Sequence, residues 1–193
     1  MTIRPICLIS AVALLLMGAS PRAADPPALP PAAGLSESAA KERAALFAAL
    51  AASNNEADAR EIEKDIWLFW LKPADEASQR LLDGARDAQL QFAYGTALVH
   101  LYELVRHQPR FAEGWNQLAY VLFLAGSFDA SLEALERTLE LEPMHYAALA
   151  GRGIILLQQG KDDEAQIALR KALAINPWLK ERNLIAKPPG QKI

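Results

Sequence analysis

The chain has three histidines and one cysteine, and any reactive centre would have to be built from these and its carboxylates. His100 and His107 lie seven residues apart, two helical turns along a common face, with Glu103 one turn after His100. Histidine on a helix is a common metal ligand. Seven residues span about 10 Å at a rise of 1.5 Å per residue, too far for the pair to chelate alone, so both read as surface residues. His145 follows Pro143 in a turn, where it is expected to cap backbone carbonyls. Asp162, Asp163 and Glu164 stand where a helix begins, and carboxylates there suit the positive end of the helix dipole better than they suit a metal. Cys7 stands at the start of the apolar run at the N-terminus and not after it, which is the wrong side for a lipid-modified cysteine. There is no HExxH, no glycine-rich phosphate loop and no nucleophile elbow. Gly151-Arg152-Gly153 falls inside a helical pattern. No acid, base or ligand set converges, so the expectation is a protein that is not an enzyme, with no catalytic residue, no metal and no cofactor.

The elements around these residues repeat. Pro109, Pro143 and Pro177 fall 34 residues apart, the period of a stacked helical hairpin. Residues 78–111, 112–145 and 146–179 align without a gap. Position 4 is Leu81, Trp115 and Leu149; position 8 is Ala85, Ala119 and Gly153; position 20 is Ala97, Ser131 and Ala165; position 24 is Leu101, Leu135 and Leu169. Small residues at 8 and 20 let paired helices approach, and large apolar residues at 4 and 24 fill the space beside them. Gly126 and Gly160 at position 15 suit a left-handed helix end. The proline at 32 stops the second helix. The first unit departs from this pattern: Phe92 replaces the turn glycine, and Gly84 sits at position 7 where a leucine is expected.

These residues resemble the tetratricopeptide repeat (TPR) family over residues 78–179. IWLFW, FAEGWNQLAY and LELEPMHYAALAGRGII extend the resemblance, over residues 45–182, to small signal-bearing alphaproteobacterial TPR proteins of no established activity. The resemblance implies an all-α, right-handed superhelix that grips another polypeptide. Three repeats, at 78–111, 112–145 and 146–179, are flanked by an N-terminal helical hairpin over 36–77 and a cap and tail over 180–193. The hairpin turns around residues 53–55, with apolar stripes at Leu46, Phe47 and Leu50 and at Ile62, Ile66 and Trp70. It is read as a degenerate repeat or a cap that hides the apolar face of an end repeat. Ser38 and Glu42 form an off-spaced capping box for its first helix. Residues 178–185 should add a short helix, before an irregular tail.

Residues 1–24 read as a secretory signal, with Arg4 ahead of an uncharged run over 6–19. That run is shorter than the roughly 20 apolar residues of a membrane span. An uncleaved anchor is the competing reading. Residues 25–35 are a Pro/Ala-rich linker. The expected location is the periplasm, with no membrane span after cleavage; the anchored alternative places the protein at the inner membrane. Cleavage removes Arg4, Arg22 and the only cysteine, leaving a chain more acidic than the whole, whose formal charge is −3. Nucleic acid, which needs a basic stripe, is excluded as a partner.

The resemblance also implies a concave groove lined by positions 2, 5, 9, 12 and 13 of the first helices. The residues carried over are Glu113, Asn116, Tyr120 and Phe123 in the central repeat, Ala150, Ile154 and Leu157 in the last, and Arg86 in the first. Apolar contacts would hold an extended or helical segment, with Asn116 fixing its backbone. The competing reading fills the groove with Trp67 and Trp70 of the hairpin. A chaperone-tail clamp is disfavoured, because Asn116 and Tyr120 stand where it needs lysine and asparagine. Trp115 reads as core packing rather than as a binding anchor. Two other functions stay open: self-assembly into a homo-oligomer through the convex face or the end repeats, and service as an accessory or chaperone to an envelope enzyme.

Overall fold

The computed structural model describes residues 32, 34–73 and 75–186. The expected signal, most of the linker and the end of the tail lie outside the described residues. Among the described residues eight α-helices follow in order: α1 (Glu37–Ala52), α2 (Glu56–Trp70), α3 (Glu76–Leu90), α4 (Tyr94–His107), α5 (Ala112–Leu124), α6 (Phe128–Leu141), α7 (Tyr146–Gln158) and α8 (Asp162–Ile175). A 3₁₀ turn, Lys180–Leu184, packs on α8 where a short helix was expected.

Local chemistry sets the helix ends. Ser36 accepts the amide of Ala39 at 3.2 Å and starts α1, so the cap is Ser36 and not the expected Ser38–Glu42 box. Asn55 accepts from Asp58 at 2.9 Å and Asp75 from Ser78 at 2.8 Å, capping α2 and α3. The Ser78 amide, with the side chains of His107 and Gln108, holds the Asp75 carboxyl well below its ordinary range. The second helix of each repeat stops two residues before its proline. Gln108, Glu142 and Asn176 leave the helical region (φ −124°, −135° and −129°) because the following ring excludes it.

Each repeat is a hairpin, α3 with α4, α5 with α6 and α7 with α8, and the hairpins stack in order. The small positions are where the sequence puts them: Ala85, Ala119, Ala97, Ser131 and Ala165 are at most 1% exposed. Leu101 and Leu169 are fully enclosed beside them. Trp115 is half-buried against the main core and donates its indole N–H to the Pro109 carbonyl at 3.1 Å. Gly84 is explained by His100: a Cβ there would meet the imidazole at 3.0 Å, so the ring fills the volume a leucine would have taken.

At the turn position Gly126 and Gly160 have φ of +77° and +70°, and Phe92 adopts the same left-handed conformation at +57°. A residue with a Cβ is strained there by about 1–2 kcal/mol. Phe92 is 78% exposed and makes an edge contact with Tyr94. Phe92→Gly is therefore expected to stabilise the protein by about 0.5–1 kcal/mol, after the extra entropy of an unfolded glycine is subtracted. A lower urea midpoint for the variant would contradict this.

The N-terminal hairpin lies along the edge where successive repeats join. Its apolar side, Phe47, Leu50, Ile66 and Trp70, packs on Tyr146 and, around it, on Met144, Ile175 and Trp178. Three pre-proline side chains anchor the N-terminal segment. Gln108 bonds Asp75, Glu142 pairs with Arg43, and Asn176 bonds Glu63. Trp178 donates its indole N–H to Ser53 at 3.1 Å.

Candidate functional site

The first helices of the last two repeats, α5 and α7, and the hairpin helix α2 enclose a groove with a cavity of about 360 Å³. Its walls are Trp67 from α2, Tyr120 and Phe123 from α5, Leu135 from α6, and Ile154 and Ile155 from α7. Ala119, Ala147 and Gly151 keep its floor low. Position 9 of a first helix points into the curve of the stack, which leaves Tyr120 53% exposed on the groove. Asn116, Gln117 and Ser131 are the polar lining, and Ser131 spends its hydroxyl hydrogen on the Ala119 carbonyl at 2.7 Å.

A buried polar relay connects this groove to the hairpin. The Trp70 ring stacks on the His145 imidazole, with centroids 3.9 Å apart and planes within 8°, and Trp67 meets the same ring edge-on. His145 Nδ1 accepts the Ala148 amide at 3.2 Å, which places the ring hydrogen on Nε2, 2.9 Å from the Glu113 carboxylate. Glu113 also accepts from Asn116 Nδ2 at 3.1 Å and Gln117 Nε2 at 2.5 Å. Beside the relay, burial raises the ionisation range of the Tyr146 hydroxyl, and the Glu63 and Glu113 carboxylates add to that. His145 thus caps amides, not the carbonyls expected from its place in the turn.

The structure gathers four of the eight groove residues expected from sequence: Asn116, Tyr120, Phe123 and Ile154. Glu113 is corrected: it is 1% exposed and committed to His145 behind the groove wall. Ala150, 4% exposed, faces Leu149 and Ala172 in a separate cluster. Leu157 is half-buried outside the cavity, and Arg86 stands in solvent on α3, paired with Asp83 at 3.0 Å. The hairpin neither fills the groove nor leaves it alone. Trp67 enters as a wall, while Trp70 goes to His145. Sequence reasoning brought Trp67 and Trp70 to the groove only in the competing reading, as residues that fill it, and did not count Trp67 among the lining residues because the hairpin keeps no repeat register.

His107 pairs with Asp75 at 3.0 Å and His100 covers Gly84, so the two histidines have separate local tasks. Among the described residues no three histidine, cysteine or carboxylate side chains gather as a metal site. No described helix is long and apolar enough to cross a membrane.

Residues 116–177 match the model of a tetratricopeptide repeat family. A TPR repeat-containing protein of Rhizobium etli is 30% identical over 132 residues, which cover 68% of this chain and 65% of that protein. Tetratricopeptide repeat protein 36 of Xenopus tropicalis is 32% identical over 111 residues, 55% of this chain and 54% of that one. The chain thus spans somewhat less than two thirds of the first relative and about half of the second. Among solved structures, the TPR2B domain of yeast Sti1 in its complex with pHsp70 superposes with a TM-score of 0.54 at 13% identity, covering 57% of this chain and 90% of the domain. At that identity the likeness is one of fold.

Proposed function

Because the chain belongs to the tetratricopeptide repeat family, we propose that it is a non-enzymatic protein–protein interaction module whose concave groove holds a segment of another polypeptide. One observation carries this reading: an apolar cavity of about 360 Å³ stays open on the curve of the stack, with Tyr120 half exposed across it. Such a cavity has the size and lining of a recognition site, and solvent-exposed apolar surface of this kind favours a partner that covers it. The yeast domain of similar fold is complexed with pHsp70, which supports a polypeptide ligand by analogy of fold.

Tyr120→Arg is the direct test. A charged side chain on the groove wall should lower capture of partners from crosslinked envelope extract at least tenfold, the loss typical of a binding hot spot, with helicity by circular dichroism unchanged. An equal catch from both proteins would sink the groove assignment.

The proposed setting is the bacterial envelope, on the periplasmic side. The support is the sequence of residues 1–24, a basic start followed by an uncharged run. Fractionation with N-terminal mass spectrometry should find a shortened chain in the periplasmic fraction; a full-length chain in the cytoplasm would refute the location.

A further inference from the structure

We propose that the groove takes an uncharged, apolar segment that offers N–H donors, that it discriminates against carboxylates, and that Trp67 of the N-terminal hairpin is one jaw of the site. The proposal rests on the groove reading above and names the chemistry of its ligand.

The argument is one of charge complementarity. No charged residue lines the cavity. Asn116 and Gln117 are its amide groups, and both turn their nitrogen atoms toward Glu113. The orientation follows from the bonds, because the Glu113 oxygens are the acceptors and an amide facing them must present its NH₂ side. What each amide presents on its other side is a carbonyl oxygen, an acceptor. Ser131 has no hydrogen to give, since it donates to Ala119. The groups whose direction is fixed by their neighbours, the Asn116 and Gln117 carbonyls and the Ser131 oxygen, therefore accept hydrogen bonds and match backbone or side-chain N–H groups of a ligand.

Behind these amides sits Glu113, 1% exposed. Charges in such a setting interact more strongly than they do in water. A ligand carboxylate beside Asn116 and Gln117 would lose its hydration, meet their carbonyl oxygens, and face Glu113 from close by. An apolar side chain loses nothing of the kind and gains Trp67, Tyr120, Phe123 and Ile154 as contacts. Trp67 is held in place through α2 by the Trp70 stack on His145, and the hairpin as a whole by the buried Arg43–Glu142 pair of α1. The jaw and the discriminating carboxylate are thus fixed by the same relay, His145 touching both.

A displayed library of random 12-residue peptides, selected against the purified protein, tests this. Selected peptides should be rich in aromatic and branched aliphatic residues and depleted in Asp and Glu. By fluorescence anisotropy, Tyr120→Arg and Trp67→Ala should each weaken the best peptide at least tenfold. Changing its apolar anchor to Asp should cost at least tenfold more on the wild type than on Glu113→Gln, a readout that loss of packing alone does not move. Enrichment of acidic peptides whose binding is lost in Tyr120→Arg would overturn this proposal and leave the groove reading standing. Apolar peptides indifferent to both Trp67→Ala and Glu113→Gln would do the same. Selected peptides unaffected by Tyr120→Arg, or no selection at all, would overturn both.

Discussion

Arg43→Met is expected to release the N-terminal hairpin from the solenoid. The Arg43 guanidinium gives Glu142 two bonds, at 2.6 and 2.5 Å, with both side chains about 5% exposed or less. Removing one partner of a buried pair costs about 3–5 kcal/mol, because the other charge is left without compensation. Here the protein has a way to relieve that charge: α1 and α2 can lift away and let water reach Glu142. The loss should therefore appear as local opening. Amides of residues 37–70 should exchange faster by a factor of a hundred or more, and the emission of Trp67 and Trp70 should shift to the red. Amides in α5 to α8 should keep their protection. The double variant Arg43→Met/Glu142→Gln should recover most of the loss. It removes the buried charge and keeps an acceptor for the Met144 amide, which Glu142 now binds at 2.9 Å. Hydrogen exchange read by mass spectrometry decides: uniform acceleration across all eight helices would show that the hairpin is not a separate opening unit.

Gly153→Ala and Gly151→Ala should move stability in opposite directions, although they lie two residues apart in α7. A Cβ on Gly153 would sit 2.6 Å from Cγ and 2.8 Å from Cδ2 of Leu169, with the Ala165 carbonyl oxygen at 3.3 Å. Leu169 is fully enclosed and has nowhere to go, so overpacking of about 1–3 kcal/mol is expected. Up to about 1 kcal/mol of that is offset by the better helix propensity of alanine. On Gly151 the nearest atoms belong to Leu135, at 3.7 Å, an ordinary contact. There the propensity gain stands alone, and Gly151→Ala should stabilise by about 0.5–1 kcal/mol. Urea midpoints of the two variants measure the difference directly. Equal midpoints would mean that α7 and α8 can separate freely, and that the close crossing at position 8 does not hold the last repeat together.

The repeat architecture was legible because its rules are local and periodic. Prolines 34 residues apart, small residues at 8 and 20 and large ones at 4 and 24 are constraints each repeat satisfies with its own neighbours, and positions 8, 20 and 24 are buried in all three repeats. Even the departures could be read: a missing glycine at Phe92 appears as a left-handed phenylalanine, and a missing leucine at Gly84 as a cavity filled by His100. The site was only half legible. Helical position identified Tyr120, Asn116, Phe123 and Ile154, since those side chains follow from the register of one helix. It also nominated Glu113 and Ala150, which other parts of the chain cover.

What the sequence determined by itself is therefore the stack of hairpins, because stacking needs only contacts between adjacent repeats. What the tertiary structure decided is where the N-terminal hairpin lies and what it does to the groove. Arg43 meets Glu142 across 99 residues and Glu63 meets Asn176 across 113. Such pairs leave no periodic mark, since each is a single match of charge or hydrogen-bond donor at the edge between repeats. Only the folded chain, with its pre-proline turns aligned along that edge, brings Trp70 onto His145 and Trp67 into the groove.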